Sequence, residues 1–418
     1  MGLSARKGDF AVGAILVALA LAVSPIGIRL VTGRLDLSAR TTALSLTFDA
    51  FLLVLAAAAL TTGPLRQLFF RLLVVVSPLL LLAIIEAGAL ALHLADRVAP
   101  IEDLSILANK HPWPAHLMSA GRFVSRDGVL LYQPFQADGI SINELGLRTA
   151  PPSPKKPGEW RIAVTGASVA FGWRLLDADT LPVQLQQLLH RQGHSNVTVY
   201  NFAIDSITID YELDVLKRFR EAYGIDQVLF FTGANDVSYW YLHEMQPDRA
   251  SGLISGVNAF ELIKVAGRLR AMLVGPAPDT LATLDNELLP ALARHNTLHD
   301  GLIAADGYCR TAALRCDFVL QPTVLRRSEP RGPEIAIART LKQLYPRYDQ
   351  TFATMYGTAL STGLRVHDSS DLFDRSVEPH FFDVAHLNEA GNRMAAERLA
   401  EIASGSIPKL GEGSNGRQ

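Results

Sequence analysis

Ser168, Asn235, Asp383 and His386 are the residues of this chain whose types and spacing point to acyl chemistry. A serine hydroxyl attacks a carbonyl carbon only when an adjacent base takes its proton. His386 is of the right type, because imidazole takes and returns a proton near neutrality. Asp383 stands three residues earlier in "DVAH". In a turn or helix start, that spacing lets its carboxylate accept from one ring nitrogen and hold the tautomer. The attacked carbon becomes a tetrahedral oxyanion that needs preorganised donors. The backbone N–H of Ser168, the backbone N–H of Ala203 in "NFAIDS" and the side-chain amide of Asn235 in "GAND" supply three. Each signal also has an ordinary structural reading. Ser168 can cap a helix, Asn235-Asp236 can be a turn, and Asp383 to His386 can start a helix with a histidine on the surface. The order of all four carries the argument.

The elements that must position these residues are legible as short apolar runs between amphipathic ones. "RIAVTG" (161–166), "VTVYNFA" (197–203), "DQVLFFTG" (226–233), "DFVLQP" (317–322) and "LRVHDSS" (364–370) read as strands. Helical patterns fall at 181–193, 209–224, 334–363 and 388–405. Strands this short, alternating with helices, predict a parallel sheet covered on both faces. Active sites of such sheets lie outside the carboxyl ends of the strands. Gly166-Ala167-Ser168, Asn201 with Ala203, and Gly233-Ala234-Asn235-Asp236 all fall there, while "DVAH" precedes the last helix. Residues 240–315 interrupt the rhythm with a helical insertion suited to roofing a cleft, and 406–418 read as a disordered polar tail.

In this order the blocks "TGASVAFG", "NFAIDS", "GAND" and "DVAHLNEAGN" resemble the SGNH (GDSL-type) hydrolases, and "INELGLR" at 142–148 is similar to a stretch that precedes the domain in membrane-anchored bacterial members. The resemblance covers about 140–405. It implies a three-layer α/β/α, flavodoxin-like sheet and a Ser168-His386-Asp383 triad. Ser168, Ala203 and Asn235 surround the oxyanion, with Gly166, Asn201, Gly233 and Asp236 in support. It also implies a serine esterase cleaving a small acyl ester or an O-acylated glycan, with no cofactor and no metal. An O-acyltransferase acting on envelope glycans uses the same residues, and a non-catalytic carbohydrate-binding module is the third reading. The chain departs from the family at Ala167, where Asp is usual, and at Ala203 and Ser206, where Gly is usual.

Upstream, residues 10–28, 42–62 and 72–94 are apolar over about 20 residues each, the length a helix needs to cross a bilayer. They predict a membrane anchor of three transmembrane helices over 1–97, joined to the 161–405 domain by a juxtamembrane segment and linker at 98–160. A buried soluble helical layer is the alternative. The anchor would make the lipid bilayer a partner and place the protein in the cell inner membrane, with the catalytic domain on the periplasmic or extracellular side. Cys309 and Cys316 are the only cysteines, seven apart, too far for a CxxC redox pair. A disulfide and two free core thiols both suit them. Net charge of −2 without a basic stripe excludes nucleic acid as a partner.

Overall fold

In the computed structural model the predicted apolar runs become strands of one sheet. The structure describes residues 122–126, 128–137, 139–245 and 278–408, together with 14–22, 24–27 and scattered positions elsewhere before 122 and between 262 and 273. The chain divides into two compact units, residues 1–92 and 93–418.

In the second unit two antiparallel hairpins come first, β1 (Phe123–Arg126) with β2 (Val129–Tyr132), and β3 (Phe135–Ala137) with β4 (Ile140–Ile142). The main sheet follows from β5 (Trp160–Gly166), β6 (Val197–Asn201), β7 (Gln227–Thr232), β8 (Arg315–Leu320) and β9 (Val366–Asp368). All four pairings in it are parallel, in the order β6-β5-β7-β8-β9. Counted from β5, this is the flavodoxin-like order 2-1-3-4-5, with its switch point between β5 and β7. Every residue of β7 is buried, as a central parallel strand covered on both faces requires.

The helices are α1 (Ser168–Phe171), α2 (Leu181–Arg191), α3 (Ile209–Tyr223), α4 (Ala234–Met245), α5 (Pro278–Thr283), α6 (Thr297–Thr311), α7 (Pro333–Leu344), α8 (Tyr348–Leu360) and α9 (Glu389–Ser404). On one face α2 packs on α9; on the other α3, α6 and α8 pack side by side. Right-handed crossovers in the observed strand order demand that partition. α5 continues through a π turn, Leu284–Leu288, into Leu289–Leu292. Two helical runs of the sequence are divided. The stretch 288–305 breaks at Asn296, whose side-chain oxygen accepts from the His299 N–H at 3.0 Å and starts α6 afresh. The stretch 334–363 breaks at Pro346, which lacks an N–H, and at Arg347, held at φ 63°. Cys309 of α6 and Cys316 of β8 are buried and joined by a disulfide.

The three transmembrane helices do not stand. Among the described residues no helix is long and apolar enough to cross a membrane. The helix at 14–22 gives way to a bend at Ser24, whose Oγ donates to the Leu21 carbonyl at 2.7 Å and accepts the Gly27 N–H at 3.1 Å. Pro25 follows and cannot extend the ladder. Hydropathy counts apolar residues but does not register such a break. The membrane-anchored family subset, the bilayer as a partner and the multi-pass inner-membrane location fall with the spans. The remainder of 10–28, 42–62 and 72–94, most of 246–277 in the insertion, and 409–418 of the tail lie outside the described residues.

One buried ion pair governs the loop between β9 and α9. Arg327 and Glu334 side chains are 1% and 0% exposed and meet at 2.5 Å. Glu334 Oε2 also accepts the Arg331 N–H at 2.9 Å, and Oε1 accepts the N–H groups of His380 and Phe381 at 2.6 and 3.0 Å. Four donors thus meet the four lone-pair sites of one carboxylate. Arg327 in turn donates to the carbonyls of Glu378 and Ser376 at 3.0 and 2.6 Å. The pair therefore fixes residues 376–381, from which the chain runs directly to Asp383 and His386.

Beside β7 two buried acids stand close together. Asp236 Oδ1 accepts the Ile209 N–H at 3.3 Å, at the start of α3, and Glu212 Oε1 accepts from Thr232 Oγ1 at 2.7 Å. Burial pushes the Asp236 carboxyl up to about 7, and burial with the neighbouring Asp236 charge pushes Glu212 well above the usual carboxylate range.

Two stability measurements follow from these buried groups. Glu334→Ala leaves the Arg327 charge unpaired and should cost about 3–5 kcal/mol in urea unfolding; a loss below 1 kcal/mol would show that the pair does not organise the loop. For Asp236 the folded state holds the proton more tightly than the unfolded chain. Its contribution is therefore complete below the ordinary Asp range and is lost as pH rises through about 7. Between pH 5 and pH 8 that loss is on the order of 3 kcal/mol, and Asp236→Asn should remove it. An unchanged pH slope in the variant rejects this assignment.

Candidate active site

β5 ends at Gly166, held at φ 155°. A Cβ there would lie 2.4 Å from the Phe231 carbonyl oxygen of β7 and 2.7 Å from Ala170 Cβ. Only glycine lets the chain turn this tightly between two strands. The turn delivers Ser168 as the first residue of the one-turn helix α1, at the switch point of the sheet. α1 then closes at Gly172, at φ 83°, where the N–H groups of Gly172 and Trp173 both bond back to the Ser168 carbonyl.

The second half of the site comes from the loop held by Glu334. Asp383 Oδ1 accepts the N–H groups of Ala385 and His386 at 3.0 and 2.8 Å, folding "DVAH" into a tight turn. Its Oδ2 lies 2.6 Å from His386 Nδ1, and His386 Nε2 lies 2.7 Å from Ser168 Oγ. The turn is pinned from below, because the Val324 N–H beyond β8 donates to the Val384 carbonyl at 2.9 Å. Burial alone raises a carboxyl pKa. At Asp383 the His386 ring and the two backbone N–H groups more than offset that, holding the carboxyl below its usual range. The acid stays ionised and the tautomer with the proton on Nδ1 is favoured, which leaves Nε2 to accept from Ser168.

The expected oxyanion donors are arranged unequally. Ser168 N–H belongs to the first turn of α1, whose N–H groups have no acceptor within the helix. Asn235 Nδ2 donates to the Ile207 carbonyl at 2.9 Å, which fixes the amide and commits one of its two hydrogens. Ala203 is wholly buried and its N–H is accepted by Asn201 Oδ1 at 3.0 Å. Asn201 Nδ2 reaches the Ala170 and Phe171 carbonyls at 3.4 Å, so this side chain ties the end of β6 to α1. Ser206 is held at φ 62° and bonds Asp205 through its hydroxyl at 2.9 Å. Gly233, at φ 105°, faces the Tyr356 ring, which a Cβ would approach to 3.0 Å.

Two further residues shape the site, and the sequence marks them weakly. Trp173 lies against the His386 ring with centroids 4.4 Å apart, and the Arg174 guanidinium sits 4.2 Å from the Trp173 centroid. The one signal for Trp173 is its position after Gly172. Arg148 is buried and donates to the carbonyls of Phe171, Gly172 and Leu175 at 3.2, 2.7 and 2.6 Å, with Nε on Asp177 at 2.7 Å. It clamps the chain that leaves α1. "INELGLR" flagged this stretch, and within it Asn143 Oδ1 accepts the N–H groups of Leu145 and Leu147 to fold the turn before Arg148. Among the described residues, the group of three metal-ligating side chains that converges is His295, His299 and Asp300, none of them a residue of this site.

No family model matches the chain, and no curated protein matches it. Solved structures do align. The acetyl xylan esterase AlAXEase is 14% identical, covering 58% of this chain and 98% of its own, with a TM-score of 0.34. LAE5, an alpha/beta hydrolase enzyme from the metagenome of Lake Arreo, is 16% identical over 60% and 97%, at 0.35. A member of the lipolytic protein G-D-S-L family from Veillonella parvula is 12% identical over 60% and 100%, at 0.32. With identity and TM-scores this low, the function rests on the geometry of the chain itself.

Proposed function

We propose that this protein is a serine esterase acting on small acyl esters, with Ser168 as nucleophile, His386 as base and Asp383 as its orienter. The observation that carries the reading is the unbroken chain of short contacts from Asp383 through His386 to Ser168, 2.6 and 2.7 Å, on a strand-to-helix turn. A surface histidine beside a capping serine has no need of a buried, ionised acid behind it.

In the reaction, Ser168 Oγ attacks the acyl carbon while its proton passes to His386 Nε2. The tetrahedral oxyanion lies against the Ser168 N–H and the second hydrogen of Asn235 Nδ2. Collapse breaks the ester C–O bond, and His386 returns the proton to the leaving alcohol. A water then attacks the acyl-enzyme, giving its proton to His386, and the carboxylic acid leaves Ser168 with its hydroxyl restored. The Ala203 N–H contributes a third donor only if Asn201 Oδ1 releases it, so two donors serve the resting geometry. Asp383 remains ionised throughout and stabilises the imidazolium. Trp173 lies against the ring and limits its rotation away from Ser168.

Ser168→Ala should lower kcat on a short aryl acetate by about four orders of magnitude or more and abolish labelling by a fluorophosphonate probe. Asp383→Asn should cost roughly four orders through loss of the correct tautomer. Retention of full turnover by Ser168→Ala would end the assignment. Asn235→Ala should cost on the order of 3 kcal/mol in the transition state, read as lower kcat at similar KM. If KM rises instead while kcat holds, Asn235 binds substrate and not the oxyanion.

A further inference from the structure

α6 starts within "RHNTLHD", and the fold turns three of these side chains toward one point. His295 Nε2 lies 3.1 Å from Asp300 Oδ2, and His299 Nδ1 lies 3.1 Å from Asp300 Oδ1. One ligand atom from each of the three lies within 4.8 Å of the other two. We propose that His295, His299 and Asp300 form a binding site for a divalent cation of the zinc class, a site that goes beyond the acyl chemistry at Ser168 and does not depend on it.

The geometry is close to what such an ion requires. Zinc takes imidazole nitrogen and carboxylate oxygen at about 2.0–2.2 Å, which places neighbouring ligand atoms of a tetrahedral site about 3.4 Å apart. Each imidazole already stands 3.1 Å from one oxygen of the Asp300 carboxylate, His295 at Oδ2 and His299 at Oδ1. The separation between the two imidazole nitrogens closes by rotation of His295, whose side chain is 73% exposed. The backbone beneath is fixed. Asn296 is buried, caps α6 through the His299 N–H and donates to the Leu292 carbonyl at 2.9 Å. Its neighbours His295, His299 and Asp300 therefore stay on one side of the helix start without large entropy loss.

The donor set chooses the ion. Two imidazoles and one carboxylate suit zinc, nickel or cobalt, whereas magnesium and calcium prefer oxygen alone. The two cysteines do not compete, since both are in the disulfide. The start of α6 carries about half a positive elementary charge, which opposes a cation, and the full charge of Asp300 outweighs it. Three protein ligands leave a fourth position toward solvent. α6 leads straight into β8, so its first turn lies at the carboxyl ends of the strands, the end of the sheet where Ser168 also lies.

The test is calorimetric titration of the full chain with Zn2+, repeated with His295→Ala/His299→Ala and with Asp300→Ala. The wild type should bind one saturable equivalent, and each variant should lose that binding by at least tenfold. Binding should survive millimolar Mg2+. The variants change exposed or half-exposed side chains and keep the Asn296 cap, so far-ultraviolet circular dichroism and ester turnover should match the wild type. A second readout is Co2+, whose visible absorption should intensify on the wild type and not on Asp300→Ala. Equal zinc binding by wild type and double variant, or a Co2+ spectrum indifferent to Asp300, overturns the site. In that case Asp300 serves as a hydrogen-bond acceptor between two histidines and nothing more.

Discussion

The geometry of the candidate site depends on a fully buried carboxylate outside it. Glu334 gathers four donors, two from the backbone of the loop that carries Asp383 and His386. A buried ion pair is poor evidence for stability in general, because desolvation consumes most of the attraction. Here its value is positional. Arg327 and Glu334 are linked to the backbone at Ser376, Glu378, His380 and Phe381, so their cost secures a loop with no strand or helix of its own. His386 reaches Ser168 across 218 residues of sequence because both ends are immobilised independently. One end is the glycine turn after β5, and the other is this carboxylate.

The parallel sheet was legible because its strands are buried on both faces and read as unbroken apolar runs. The residues proposed for acyl chemistry stood out for a related reason: they differ in type from what surrounds them. "GAND" and "DVAH" lie at the ends of elements, and the topology brings "DVAH" to Ser168. What the sequence did not reveal is spent on support. Glu334 looks like an ordinary first-turn acid of α7, and Arg148 like one more surface arginine before a proline-rich stretch. Their roles come from burial, which no local pattern encodes. The break at Asn296 was hidden in the same way, since the apolar spacing on either side is continuous.

Hydropathy misled at the amino-terminal end. Length and apolar content predicted three spans, but the helix at 14–22 is interrupted by Ser24 and Pro25. At Ala203 the sequence was silent about occupancy. Its N–H, the expected donor, is already held by Asn201 Oδ1. A backbone donor is a property of the amide and its competitors together, and here the competitor is the side chain that opens the same motif.

Arg148 also redraws the boundary of the folding unit. It stands before the first strand of the sheet, in a stretch that follows two small hairpins. Its guanidinium nevertheless satisfies three carbonyls in the segment leaving α1. Leu131, Tyr132, Ile140, Ile142 and Leu147 from the same region belong to the central core. A fragment cut at the proline-rich stretch would retain every strand of the sheet and every member of the proposed triad. It would also leave those carbonyls without donors and an apolar flank uncovered beside the turn that carries Ser168. The smallest autonomous piece of this domain thus begins ahead of its recognisable α/β pattern, and the hairpins are its first structural layer.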